Sequence, residues 1–402
     1  MKSYLTFLKR CFCLSLEGGW RYHLWLGALF LFMLVGLNSY CRQYVYGMGT
    51  TGMTDQVSWG VYIANFTFLV GVAASAVMLV IPVYVYKRKE LKNLVIFGEL
   101  LAVSAIIMCL LFIVADLGRP DQAHHMLLRF NFPISVLTWD VIALNGYLLL
   151  NLHIPGYMIY CAYKKREPSK AFIIPFVFIS IGWAVSIHTV TAFLYSGLGA
   201  RPFWNSAVLA PRFLASAFAA GPALLILTVQ VIRKFTGWKV QTGSIMTLRG
   251  IVVVAMFINL FLLGSEVFTE FYTDSAHVAS AQYLFLGLHG YDALVPWIWT
   301  AITLNVVAMG LLLHPASKKG ETHVYLNVAC VMLFVGIWIE KGMGLIIPGF
   351  IPTPIGEIVE YTPTLNETLI CMGIWATGIF IYTVLVRITI PVLRGELTED
   401  SA

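Results

Sequence analysis

Ten mostly apolar stretches, each long enough to cross a bilayer, run along the chain at about 22–44, 57–86, 93–116, 134–160, 171–196, 205–232, 247–271, 289–313, 324–341 and 364–388. A helical span needs roughly 20 apolar residues, because each adds about 1.5 Å toward a hydrocarbon core about 30 Å thick. Composition agrees: with 59% hydrophobic and 11% charged residues, 402 residues could not keep a globular surface in water. The expected fold class is an all-α integral membrane protein with ten transmembrane helices.

The loops set the orientation. With the N-terminus inside, Lys2, Lys9, Arg10, Arg21, the turns "YKRKELK" and "YKKREPSK", Arg233, Lys234, Lys239, Arg249, Lys318, Lys319, Arg387 and Arg394 all face the cytoplasm. That is 20 of the 26 basic residues, leaving Arg42, Arg119, Arg129, Arg201, Arg212 and Lys341 outside. Both termini are expected inside. The net charge of +6 is thereby spent on anionic headgroups at the inner face and calls for no nucleic-acid partner. Residues 1–20 alternate basic and apolar positions without a small-residue cleavage site and read as an interfacial helix. The seven cysteines show neither a disulfide framework, nor zinc-ligand spacing, nor a ferredoxin-type run, and Cys11-x-Cys13 reads as incidental.

An internal repeat organises the chain. Trp59, Phe68-Leu69 and Ala74 recur as Trp204, Phe213-Leu214 and Ala219, and "TWDVIALN" (138–145) is echoed by "IWTAITLN" (298–305). Between these anchors Asp116 matches Glu266. Four spans separate the copies, so both have one orientation, and two repeated four-helix bundles with two flanking helices are expected. The divisions are 1–56 (interfacial helix and first span), 57–200 (first bundle), 201–345 (second bundle) and 346–402 (outer loop, tenth span and tail).

The densest polar stretch is "FIVADLGRPDQAHHMLLR" (112–129), which sets Asp116, Arg119, Asp121, His124 and His125 within ten positions at the outer end of the third span. Asp140 lies about two turns into the fourth span, and Trp59, Tyr62 and Asn65 lie in the outer part of the second, the last two sharing a face at i, i+3. Groups of this kind at the end of an apolar slot suit a ring whose oxygens take up protons as it takes up electrons. Charged residues near a span end also serve as caps, and "LGRP" is a plausible helix stop. Asp140 is harder to explain that way, since a carboxylate inside the apolar zone costs about 2.5–3.5 kcal/mol on insertion scales. Arg119 is its expected counter-charge.

Other polar positions suggest a proton route. Glu99 sits about two turns inside the third span, Thr138 and Asn145 lie along the fourth, and His188, Thr191 and Tyr195 recur at i, i+3, i+7 on the fifth. Such residues also simply bond helices together. In the second half Asn259, Glu266 and Glu270 share a face, Arg212–Glu266 is a candidate ion pair, and Asp292, Glu340 and Lys341 lie at the same level. This half reads as structural or as a second proton route. Of the nine histidines only His188 is clearly inside, too few for a bis-histidine haem. Repeats with intramembrane polar groups also suit a secondary transporter, although the charged cluster lies at the outer edge and the midplane segments read unbroken apart from Pro175 and Pro222.

The segments "SWGVYIANFTFLVGVAASAVML" (58–79), "DLGRP" (116–120), "LTWDVIALNGYLLLN" (137–151), "ARPFWNSAVLAPRFLASAF" (200–218) and "IWIEKGMGLIIPGFIPTP" (337–354) resemble the NrfD/PsrC family of polysulfide-reductase-type membrane subunits over nearly the whole chain. The ten spans and "GMTDQVSWGVYIANFTF" are most similar to its DsrP branch, with the HmcC-like and QrcD-like branches close by. The resemblance implies a subunit without haem or iron–sulfur cluster of its own, acting on menaquinone within a larger respiratory complex and exchanging electrons with an extracytoplasmic ferredoxin-like iron–sulfur subunit. For the DsrP branch it further implies a multihaem cytochrome c, a haem b membrane subunit and a cytoplasmic iron–sulfur subunit, in sulfite or sulfur metabolism.

Overall fold

The computed structural model describes residues 2–85, 91–273, 278–318 and 324–399. Most of the "YKRKELK" turn (86–90), His277, Lys319 and His323 lie outside the described residues. Among those described there is no strand beyond a single bridge between Leu288 and Tyr291. The helices are α1 (Lys2–Leu16), α2 (Trp20–Tyr46), α3 (Val61–Ala74), α4 (Val77–Val80), α5 (Lys92–Asp116), α6 (His125–Leu128), α7 (Val136–Tyr163), α8 (Lys170–Ser196), α9 (Leu209–Thr236), α10 (Thr242–Thr273), α11 (Val278–Phe285), α12 (Val295–Leu313), α13 (Val324–Lys341), α14 (Met343–Ile346) and α15 (Leu365–Leu393).

Nine helices among the described residues are long and apolar enough to cross a membrane, with α3 running on through α4 to Tyr84 and α13 through α14 to Phe350. The protein is a multi-pass membrane protein. At 28 residues α7 is also long enough, but Asp140, Asn145, Asn151 and His153 make it more polar than the others.

Helix α3 packs on α5, α8 and α9; α5 packs on α7 and α7 on α8. Likewise α9 packs on α10 and α13, and α12 on α13, while α2 lies along α15, which also touches α5. Gly36 of α2 and Gly373 of α15 allow their backbones to touch, since a Cβ on Gly36 would fall 2.6 Å from the Gly373 Cα. The second span runs on to Tyr84 but changes its hydrogen-bond pattern at one point, where the backbone stays right-handed helical. The change falls at Ser75–Ala76, where Gly221 of α9 presses against the Ser75 side chain and the Ser75 hydroxyl donates to the Val72 carbonyl at 2.6 Å. A π-turn over Ile81–Val85 follows.

Polar contacts define the two ends of the bundle. At one, Lys164 reaches Glu399 at 3.4 Å, Arg394 donates to the Thr236 carbonyl at 2.6 Å and Arg387 to the Glu17 carbonyl at 3.2 Å. At the other, Glu367 organises the connections. Its carboxylate completes a capping box with Thr364 at the start of α15, accepts from the Gly52 backbone N–H at 2.8 Å, and accepts from the Tyr361 hydroxyl at 2.6 Å. The Tyr361 oxygen in turn accepts the N–H of Val61 at 3.0 Å, so one carboxylate ties the 47–60 loop and the start of α3 to α15. Burial, and the Glu367 carboxylate beside it, push Tyr361 up, which keeps the phenol a donor.

Candidate functional site

At the Glu367 end a cavity of about 420 Å³ opens between the start of α3 and the loop joining α8 to α9. Its lining is Ser58, Trp59, Gly197, Leu198, Gly199, Ala200, Arg201 and Phe350. Gly197, Gly199 and Ala200, small residues just past the end of α8, leave the space. The Arg201 guanidinium lies over the Phe350 ring at 4.7 Å and donates to its carbonyl at 3.4 Å. Trp59 stacks on Trp204 with centroids 5.6 Å apart, and Trp204 is fixed by its indole N–H on the Leu345 carbonyl at 2.8 Å. The two tryptophans stand 145 residues apart, so segments distant in sequence meet at this stack. The result is an aromatic-walled space with one cation at its edge, of a size suited to a small planar ligand.

Tyr195 stands directly behind that wall, its ring edge-on to Trp59 at 5.7 Å. Its hydroxyl shares a short hydrogen bond with the Thr67 hydroxyl. Four residues earlier on α8, the Thr191 hydroxyl donates to Asp140 Oδ1 at 2.8 Å. The other Asp140 oxygen is buried without a hydrogen-bond partner, and the residue is only 1% exposed. The i, i+3, i+7 face of α8 does point inward: His188, Thr191 and Tyr195 are all buried.

The expected Arg119–Asp140 pair is not formed. Arg119 lies beyond the end of α5, at the start of the 3-10 turn Pro120–Gln122, where Asp121 comes within reach of its guanidinium at 3.0 and 3.1 Å. This exposed pairing holds the Asp121 carboxylate below the usual carboxylate range. Asp140 faces the other way, into α8. His124 is exposed and bonds the Asp121 carbonyl at 2.8 Å, and its ring lies 4.3 Å from that of His125. Asp116 ends α5 with one carboxylate oxygen buried and unpartnered. Tyr62 and Asn65 share a helix face but serve different neighbours. The Tyr62 hydroxyl donates to Gln43 Oε1 at 2.7 Å, whereas the Asn65 oxygen accepts from the Trp338 and Trp375 indoles at 3.0 and 2.9 Å, joining α3 to α13 and α15.

Glu99 is buried in α5 with one oxygen unpartnered. Asn145 is exposed on α7 and donates to its own helix at Val141, away from the packed interior. In the other half, Arg212 is held between two carboxylates: its contact with Glu266 is very close, and it donates to Glu340 Oε1 at 2.9 Å. The candidate Arg212–Glu266 pair is therefore present, and Glu340 joins it. Asn305 donates to the other Glu340 oxygen at 2.9 Å, Lys341 stands 3.9 Å from Glu340, and Glu270 lines a void of about 20 Å³ beside Arg212, Glu266 and Glu340.

Sequence reasoning missed Arg201, Phe350 and Trp204 as parts of the site. The repeat that pairs Trp204 with Trp59 was the available signal for Trp204. Nothing local marks Phe350, which comes from about 150 residues further along the sequence.

A bundle of long apolar helices with ionisable side chains buried among them defines a polytopic membrane protein. The family model for polysulphide reductase, NrfD, matches residues 49–352, and the chain belongs to that family. It is 25% identical to a putative dimethyl sulfoxide reductase membrane subunit of Halobacterium salinarum, over 89% of this protein and 88% of that one. It is 23% identical to the Hdr-like menaquinol oxidoreductase integral membrane subunit of Archaeoglobus fulgidus, over 90% and 91% of the two proteins. With a polysulfide reductase chain of Wolinella succinogenes it shares 26% identity over 71% of this protein and 92% of the relative.

Proposed function

We propose that this protein is the quinone-interacting membrane subunit of a respiratory redox complex, exchanging electrons between menaquinone or menaquinol and an extracytoplasmic ferredoxin-like iron–sulfur subunit. The observation that carries the reading is the aromatic cavity at Trp59 and Arg201, backed by buried groups able to hold protons. The relatives' names, a menaquinol oxidoreductase subunit and a polysulfide reductase chain among them, support the same class of activity. A bound quinone supplies a couple of two electrons and two protons. Trp59 and Phe350 offer ring faces to it, and Arg201 offers N–H donors to a ring oxygen. Asp140, oriented by Thr191, holds a proton behind the wall, and Tyr195 with Thr67 extends the hydroxyl chain inward. Asp116, with an unpartnered oxygen at the same end, and Tyr62 complete the proton-holding groups; Asn65 keeps α3 in register with α13 and α15.

The docking face is centred on the loop at 117–133. It carries Arg119, His124, His125 and Arg129 beside Leu128, Phe130, Phe132 and Ile134, all four of these large apolar residues being exposed. Such a patch, rimmed by cations, suits a protein partner. In this reading both termini are cytoplasmic, residues 57–200 form the quinone-binding half and 201–345 its repeat. A DsrP-type complex in sulfite or sulfur metabolism and proton translocation through Glu99, Asn145, His188, Tyr195, Glu266 and Glu270 belong to the same proposal.

The irregular turn after α3 at Ser75–Ala76 favours a second reading, a secondary transporter, because transporters place interrupted helices at the midplane. Quinone titration of the purified complex separates the two. Trp59→Leu removes the stacking wall and is expected to raise the KM for a menaquinol analogue about tenfold, the loss of roughly 1.4 kcal/mol of aromatic contact. Wild-type KM in the assembled variant would overturn this placement of the ring.

A further inference from the structure

Where α3, α8, α9 and α13 converge, a second void of about 10 Å³ is enclosed by Thr67, Gly71, His188, Phe213, Ser216 and Lys341, together with apolar neighbours. His188 and Lys341 are 1% and 3% exposed. His188 Nε2 and Lys341 Nζ both lack a hydrogen-bond partner. The Ser216 hydroxyl is committed to the Phe213 carbonyl at 2.9 Å, and Lys341 lies with its ammonium 5.5 Å from the Phe213 ring centre. Two strong hydrogen-bonding nitrogens facing one enclosed void is an arrangement that proteins rarely leave unsatisfied. A space of about 10–15 Å³ is the least that holds a water molecule, and buried waters typically make about three hydrogen bonds.

We infer that one water molecule is bound in this void, accepting from Lys341 Nζ and bonding His188 Nε2 and the Thr67 hydroxyl, and that it joins the two halves of the protein into one polar path. This rests on the proposed function only for its meaning, not for its geometry. From the wall of the aromatic cavity the path runs from Tyr195 to Thr67 and through the water to Lys341 and Glu340, whose carboxylate shares the Arg212 cation with Glu266. A proton reaching the water from the Thr67 end moves on when the Lys341 ammonium gives one of its own protons to the Glu340 carboxylate and takes one from the water, so the lysine keeps its charge and the proton ends on Glu340. The repeated half is thereby given a role, as the continuation of the route rather than a second binding site.

Gly71 supplies a clean test. A Cβ there would lie 3.5 Å from the Ala217 Cβ and 3.9 Å from His188 Nε2, both ordinary contacts, so Gly71→Ala folds while its methyl group takes up the void. Maps of the assembled wild-type complex in lipid, at a resolution that shows other internal waters, are expected to contain a peak within hydrogen-bond distance of Lys341 Nζ and His188. Gly71→Ala and Lys341→Met should both lose it. Reconstituted Gly71→Ala is expected to keep quinol oxidation and lose coupled proton movement. An empty void in the wild type overturns the inference, and so does unchanged proton movement in a Gly71→Ala complex shown to lack the water. A wild-type complex that holds the water but moves no protons overturns the relay. Failure of the wild type to oxidise quinol strikes the proposed function instead and leaves the density readout standing.

Discussion

Replacing Asp140 by Asn isolates the proton-holding role from the structural one. The amide keeps an oxygen to accept the Thr191 hydroxyl, at 2.8 Å in the wild type, and keeps the side-chain volume. It places an NH₂ where the second carboxylate oxygen, buried and unpartnered, now lies. Exchanging a charge-assisted hydrogen bond for a neutral one costs about 1 kcal/mol, whereas removing a carboxylate from the apolar zone returns about 2.5–3.5 kcal/mol on insertion scales, so assembly should survive and the melting temperature should hold or rise. The rate should not survive so well. A positioned proton acceptor contributes about 10²–10⁴-fold, and an amide cannot take the proton, so menaquinol-driven reduction of the iron–sulfur partner should slow by about 100-fold or more, equivalent to about 2.7 kcal/mol in the barrier. Thr191→Val retains the carboxylate but not its donor and should lose about tenfold. Turnover is measured with a soluble naphthoquinol analogue on complexes whose composition has been checked. An assembled Asp140→Asn complex with wild-type turnover would remove Asp140 from the reaction.

Glu99→Gln should spare electron transfer and reduce the proton-to-electron ratio measured in proteoliposomes; an unchanged ratio would make Glu99 a structural acid. Arg212→Leu leaves Glu266 and Glu340 buried without their shared cation, a loss of about 3–5 kcal/mol, and should lower the melting temperature of the complex markedly, a result that calorimetry reads directly. Hydrogen exchange on the assembled complex should show protection of 117–133 and 47–57, weakening with salt because cations rim the face. Protection confined to the 164–170 turn at the opposite end would refute both the orientation and the docking face.

Much of this protein is determined locally. The spans follow from apolar runs, since the cost of placing each residue in hydrocarbon adds up along the sequence without reference to other helices. The shared face of His188, Thr191 and Tyr195 and the Arg212–Glu266 pair were readable from spacing and residue type, because a helix repeats every 3.6 residues wherever it sits. Spacing does not say which helix faces which. Arg119 took the nearest carboxylate, Asp121, once the backbone turned at Pro120, and Asp140 was left to a threonine 51 residues away. Asn65 is defined by two indoles about 270 and 310 residues distant, the irregular turn after α3 by a glycine on α9, and the aromatic cavity by a loop meeting Phe350. Each of these is a contact between elements far apart in sequence, decided by how the helix faces interlock, and packing of that kind exists only once the whole bundle has formed.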